Sequence, residues 1–465
     1  MVDYGLIDEW NPAPGRLVSW AASPESLRRA AHAPAHPVPP SHQQEVYLQA
    51  AHRNAAADFR FSGLCVVTAE VPAALDRDAM TRAVRRFLLR HDTFRSWFAI
   101  EDGRVVRHVV EPEVLDFVPT DHGEVDNAEA VRQHVQKQTP GPFQWDCFTF
   151  GVLEHEESST VYLAVDHLHT DGVAQYISCY ELAHLYAHEV GAEPGPMPEP
   201  ASHLEYCARE REQSARLSLA SPGVRRWLEL VRGNDGVLPS FPLDLGKRSD
   251  GYTRGAHLTV PLLDAEESER FEQLCTERGA AFVGGVFAAA AMVERAVARR
   301  DYYFCMTPIS ARSSVAELIS VGWYATLVPV AFPVGATADF GRLVRSAQRA
   351  YDSGMRLTGV SFHRVLELVP PDVGIDVEPG WSTPMISYVD ARDFAGNEYF
   401  DMVNGGIYGN RAASEEVLIW VNRLPGGTSL SVIHPDTPVA HESVRTYVTT
   451  LRSIMVDAVR GATAP

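Results

Sequence analysis

The segment VYLAVDHLHTDGVAQYI, residues 161–177, constrains the fold more than any other stretch of this chain. Its first half is apolar and β-branched, as a buried strand requires. From Val173 the pattern is that of a long helix. Between the two stands a polar knot, Asp166-His167-Leu168-His169-Thr170-Asp171-Gly172. A strand that passes into a helix through so short a loop belongs to an α/β architecture. Alternation along the strand puts Leu163, Val165 and His167 on one face, with His167 at its end.

The rest of the chain repeats the mixture. FSGLCVVTAEV (61–71) predicts a strand, and LDRDAMTRAVRRFLLRHD (75–92) an amphipathic helix with Leu75, Ala79, Ala83, Phe87 and Leu88 at helical spacing. A hairpin is expected near Asp102-Gly103, and a helix over Ala128–Gln138. Ala280–Val293 is the longest apolar run. It falls short of the roughly 20 residues that span a bilayer, so it reads as a core helix and no membrane span is expected. The first 60 residues read as Pro-rich and irregular. A chain of 465 residues exceeds one ordinary core. Turn-formers at 232–251 suggest a linker, hence an N-terminal lobe over 1–235 carrying the knot and a C-terminal lobe over 236–465.

A formal charge of −19 disfavours nucleic acid and anionic membranes as partners. Six cysteines without a C-x-x-C pair fit a reduced, cytoplasmic protein. The acidic start MVDYGLIDEW is not that of an export signal.

The knot allows two chemistries. His167, His169 and Asp171 match the start of an H-x-H-x-D-H zinc box, but the last ligand position is Gly172, and no downstream His falls in a recognisable ligand context. The expectation is therefore no metal. The alternative is a variant of H-H-x-x-x-D-G, the signature of thioester-dependent acyl transfer, with Asp166 in place of the first His. His is the side chain whose pKa suits a general base at neutral pH. Gly172, lacking a side chain, leaves room for a thin ligand arm.

Other segments follow in a matching order. PPSHQQEVYL (39–48), LRHDTFRSWF (89–98), FCMTPISARSS (304–314), VGWYATLVPV (321–330) and the C-terminal VLIWVNRLPGGTSLSVIHPDTPVAHESVRTYVTTLRSI resemble motifs of the condensation-domain and chloramphenicol-acetyltransferase-like superfamily. The C-terminal end is most similar to the polyketide-associated acyltransferases of actinomycetes. The resemblance implies an α/β fold of two chloramphenicol-acetyltransferase-like lobes in a V, with a tunnel at their interface. It implies an acyltransferase that moves an acyl group from a thioester, acyl-coenzyme A or acyl-phosphopantetheine on an acyl carrier protein, to the hydroxyl of a small-molecule acceptor in specialised lipid or polyketide metabolism. No permanently bound cofactor is implied. An amine acceptor, or a non-catalytic recruitment domain, are the alternatives.

By the same resemblance His167 is the catalytic base, Asp171 a structural acid and Gly172 the tunnel glycine. Arg312 is the expected partner of Asp171. Asp166 is a supporting residue, and a buried acid there would raise the pKa of His167. Trp323, Ser387 and Tyr388 are candidate substrate-binding residues, the last two as oxyanion donors. Arg82, Arg85, Arg86, Arg90 and Arg95 could dock phosphates, although a solvated helix face with local ion pairs explains them as well.

Overall fold

In the computed structural model, residues 3–56, 63–247, 253–335, 339–370, 375, 383–392, 402–410, 414 and 416–462 are described. Phe61 and Ser62 of the expected first strand, and 248–251 of the expected linker, lie outside them.

The chain forms two compact units. The first comprises Met1–Glu212, Arg312–Ala325 and Phe394–Ala412; the second comprises Gln213–Ala311, Thr326–Asp393 and Ala413–Pro465. A single cut at 235/236 does not describe this division. Residues 213–235 go with the second unit, and two later segments return to the first.

The first unit is built on a seven-stranded mixed sheet. Its strand order is Asp3–Leu6, Gly406–Gly409, Leu64–Val71, Ser159–Asp166, Phe148–Glu154, Gly15–Ala22 and Phe117–Val125. Ser159–Asp166 is central and antiparallel to both neighbours, with Asp166 opposite Leu64 and Val165 opposite Phe148. Both of its faces are covered. Leu163 and Val165 pack with Phe87, Phe94 and Phe148, while Tyr162 and Ala164 pack with Trp10, Val66 and Leu153. The period of two thus feeds two cores at once and fixes the register, since a one-residue slip would exchange them. Gly151 is required by this packing: a Cβ there would fall 2.1 Å from the Tyr162 ring.

The strand ends where its last residue, Asp166, caps a three-residue 3-10 turn, His167–His169, by accepting from the Leu168 amide. Asp171 then caps the helix Gly172–Glu189, its side chain accepting from the Ala174 amide at 2.9 Å. Two caps within six residues turn the chain sharply and hold His167 on the bend.

The first 60 residues are more regular than their composition suggests. They contain strands Asp3–Leu6 and Gly15–Ala22 and the helix His42–Ala56. The second unit carries a six-stranded sheet, in order Gly255–Asp264, Gly427–Pro435, Leu418–Leu424, Met385–Asp390, Tyr302–Ser310 and Ala325–Pro333. The apolar run expected to be a core helix enters the helix Phe282–Ala298 from its third residue on, and every residue from Phe282 to Ala291 is buried. A helix apolar all round belongs in a core. Among the described residues no single helix is long and apolar enough to cross a membrane.

Candidate active site

His167 is held by its backbone and leaves its ring to be used. Its amide donates to the Gly63 carbonyl at 2.7 Å. The ring lies 4.4 Å, centroid to centroid, from that of Trp323, which in turn meets Tyr47 edge-on at 5.5 Å. Nδ1 is buried without a hydrogen-bond partner among the described residues, whereas Nε2 is not enclosed in this way. Burial lowers the pKa of the imidazole; its own backbone carbonyl and the Asp171 carboxylate pull the other way without reversing the shift. The ring is therefore neutral near pH 7, as a base must be.

Asp166 does not act as the sequence suggested. It is fully buried, and Oδ1 accepts from the Tyr47 hydroxyl at 2.7 Å and from the Leu168 amide at 3.0 Å. The same Tyr47 oxygen accepts from the Gly63 amide at 2.7 Å. The acid ties strand end, turn and helix His42–Ala56 together. It contributes nothing evident to the titration of His167, whose pKa falls instead of rising.

Asp171 and Arg312 meet. Arg312 Nη1 donates to Asp171 Oδ2 at 2.7 Å, and the Arg312 side chain is 1% exposed. Its other donors reach the carbonyls of Glu317 and Ser320, and its guanidinium lies 4.6 Å over the Tyr324 ring. Asp171 Oδ2 also accepts from the Tyr324 amide at 2.8 Å. One carboxylate thus anchors the helix start, the cation and the loop that presents Trp323. That loop has two further grips, neither signalled by the sequence. The Val321 amide donates to His91 Nδ1 at 3.3 Å, and His203 Nε2 stands 3.3 Å from the Trp323 carbonyl. Tyr47 was missed as well, although it lies inside the 39–48 segment.

Gly172 is exposed, and a Cβ built on it would meet nothing within 4 Å. Its backbone needs no special conformation; what its lack of a side chain keeps is space.

His169 is different in kind from His167. It is fully buried, with Nδ1 3.0 Å from Thr93 Oγ1 and its ring near Phe94 and Phe148. Burial, with the positive charges of His203 and Arg107, pushes its pKa down to about 3. The three residues of the zinc spacing therefore do not share one pocket: His169 faces the core, and Asp171 is committed to Arg312 and two amides. Among the described residues no three His, Cys, Asp or Glu are grouped to hold a metal ion.

Ser387 and Tyr388 lie in the strand Met385–Asp390 of the second unit. The Tyr388 hydroxyl donates to Asp390 at 3.2 Å and its ring stacks on Phe282, so neighbours in its own unit account for it. Ser387 is buried. Of the arginine run, Arg82 and Arg86 pair with Glu189, and Arg90 with Glu181 and Glu199. Those charges are met locally.

A neutral imidazole on a strand-end turn and a buried Asp–Arg pair behind that turn are the arrangement expected of an acyltransferase of the chloramphenicol-acetyltransferase-like fold. The Condensation domain family model matches residues 64–376, and the chain belongs to that family. It is 36% identical over 469 residues, all of this chain and 90% of the relative, to the 2'-acyl-2-O-sulfo-trehalose (hydroxy)phthioceranyltransferase PapA1 of Mycobacterium tuberculosis. It is 36% identical over 468 residues, all of this chain and 99% of the relative, to the trehalose-2-sulfate acyltransferase PapA2 of the same species. The solved structure of PapA2 acyl transferase superposes with a TM-score of 0.91 at 35% identity, covering 98% of this chain and 99% of the other. The chain is thus an ester-forming acyltransferase that uses an acyl donor and a small-molecule acceptor, and the amine acceptor and the non-catalytic alternative fall away.

Proposed function

We propose that this enzyme transfers a fatty or polyketide acyl group from a thioester to a hydroxyl of trehalose or a sulfated trehalose, with His167 as the base. The observation that carries the reading is the state of His167: neutral, held by its backbone, with its Nε2 left uncommitted. Nε2 accepts the proton of the acceptor hydroxyl as its oxygen attacks the thioester carbonyl. Collapse of the tetrahedral intermediate expels the thiolate, which recovers that proton from the imidazolium. No acyl-enzyme is needed. Asp171 and Arg312 do not touch the reacting atoms in this scheme; they fix the turn and the Trp323 loop.

The disaccharide acceptor is supported by end-to-end identity with relatives named for trehalose esters. The donor is acyl-coenzyme A or an acyl-phosphopantetheine carrier, the two forms in which a cell presents a thioester. All six cysteines are unpaired, which suits the reducing cytoplasm. The test is to incubate the enzyme with palmitoyl-coenzyme A and either trehalose, trehalose-2-sulfate or no acceptor, following free thiol and ester by mass spectrometry. Acceptor-dependent release of thiol with matching ester supports the reading. Thiol release that is independent of both sugars, with no sugar ester formed, contradicts it.

A further inference from the structure

A cleft of about 730 Å3 in the second unit is lined by four arginines, Arg278, Arg342, Arg345 and Arg349, against two acids, Asp339 and Asp457. Arg342, Arg345 and Arg349 stand at i, i+3 and i+7 on the helix Phe340–Met355, so they share one face. Arg278 comes from the end of the neighbouring helix Ala265–Glu277. The N-terminus of Phe340–Met355 opens at the cleft through Phe340 and Gly341.

What distinguishes this cluster is that none of its arginines is paired with a carboxylate among the described residues, although Asp339 and Asp457 line the same cleft. Arg278 Nη1 donates to the Leu274 carbonyl, Arg345 Nε to the Arg278 carbonyl and Arg349 Nη2 to the Ser346 hydroxyl. These are neutral acceptors, and each guanidinium carries five N–H groups. None of the four forms an ion pair with a carboxylate among the described residues. Asp339 accepts from the Gly341 amide and Asp457 from the Ser453 hydroxyl. Elsewhere in the same unit Arg295, Arg300 and Arg392 each have an acid. In a chain of net charge −19, carboxylates are not scarce. Four like charges converging on one concave surface repel one another, and a bound polyanion relieves that repulsion. Guanidinium forks match phosphate oxygens two at a time, and a helix N-terminus favours the same charge. Capping of the Ala265–Glu277 helix end explains Arg278 and Arg345, but not Arg342 or Arg349.

We propose that this cleft is a binding site for a small diphosphate-bearing anion of the pyrophosphate or nucleoside-diphosphate class. The inference is independent of acyl transfer, because binding is read without turnover. The probes are inorganic pyrophosphate, ADP and adenosine, titrated calorimetrically into the full chain at low salt. Pyrophosphate and ADP should bind and adenosine should not. Arg342→Ala/Arg345→Ala should weaken pyrophosphate by at least about tenfold, as loss of charge-assisted bonds requires. Arg342→Lys/Arg345→Lys should recover part of the loss. Arg226→Ala, which removes an arginine paired with Glu229 in the same unit, should change nothing. Circular dichroism checks that each variant is folded. No binding of pyrophosphate or ADP, or binding that survives in the folded double alanine variant, would overturn the proposal. So would capture of a poly-glutamate peptide with no pyrophosphate binding, which would make the cluster a docking face for an acidic protein.

Discussion

Asp171 and Arg312, 141 positions apart in sequence, are joined by a 2.7 Å hydrogen-bonded ion pair that also collects the Tyr324 amide. The pair sits behind the turn that carries His167 and is nearly closed to solvent. Removing the acid alone strands a buried guanidinium. Asp171→Ala is therefore expected to lower stability by about 3–5 kcal/mol. Thermal or urea unfolding reads this directly; an unchanged midpoint would show that the pair is dispensable.

The burial of His167 sets the pH dependence. Its folded pKa lies below the ordinary value of 6.5, so the acidic limb of kcat/KM should fall below pH 6.5, where the free enzyme takes up the proton that disables the base. The Asp171 charge favours the imidazolium, so any Asp171→Asn protein that folds should move the limb to still lower pH. Asp166→Asn should leave it in place, because that carboxylate is engaged by Tyr47 and the Leu168 amide. A limb above pH 6.5, or one moved by Asp166→Asn, would contradict this assignment.

Gly172 separates space from conformation. A methyl group there meets no atom of the protein within 4 Å. Gly172→Ala and Gly172→Val should fold with unchanged unfolding midpoints but show a raised KM for the donor, more so for Val. Steady-state kinetics beside a melting curve decides the matter, since equal KM values in all three proteins would remove the glycine from the substrate path.

His169 predicts an acid sensitivity of folding, separate from catalysis. Its folded pKa, about 3, lies below its unfolded value near 6.5. Between those values the unfolded chain binds the proton and the folded one does not, so stability is full above about pH 6.5 and is lost as pH falls toward 3. The loss is on the order of a few kcal/mol. In His169→Gln the fall of stability between pH 6.5 and 4 should be shallower, as measured by urea unfolding at a series of pH values. A parallel profile would mean that His169 does not carry the effect.

Much of this arrangement was legible because it is local. The strand–turn–helix at 161–177 follows from period two giving way to a polar knot and then a helix, and the helix Ala128–Gln138 has the bounds its pattern implies. Three kinds of feature were hidden. The strand Gly406–Gly409 pairs with Leu64–Val71 and Asp3–Leu6, partners hundreds of residues away that no local pattern reports. Phe117–Val125 is an edge strand with mostly exposed residues, so it lacks apolar alternation. The direction of the His167 shift depends on where the Asp166 carboxylate points, and adjacency in sequence misled there: the acid turns to Tyr47, and burial of the ring dominates. Arg312 could be paired with Asp171 only through the order of motifs.

His167, and no other member of the knot, is expected to move the proton. The direct test is turnover of His167→Ala beside His169→Gln, with donor affinity and folding measured on the same preparations. A loss of about 10²–10⁴-fold in kcat is expected for His167→Ala, the usual worth of a positioned general base. Donor binding should be little changed, and His169→Gln should retain most of the activity. A folded His167→Ala enzyme that turns over near the wild-type rate, or equal losses in the two variants, would contradict it.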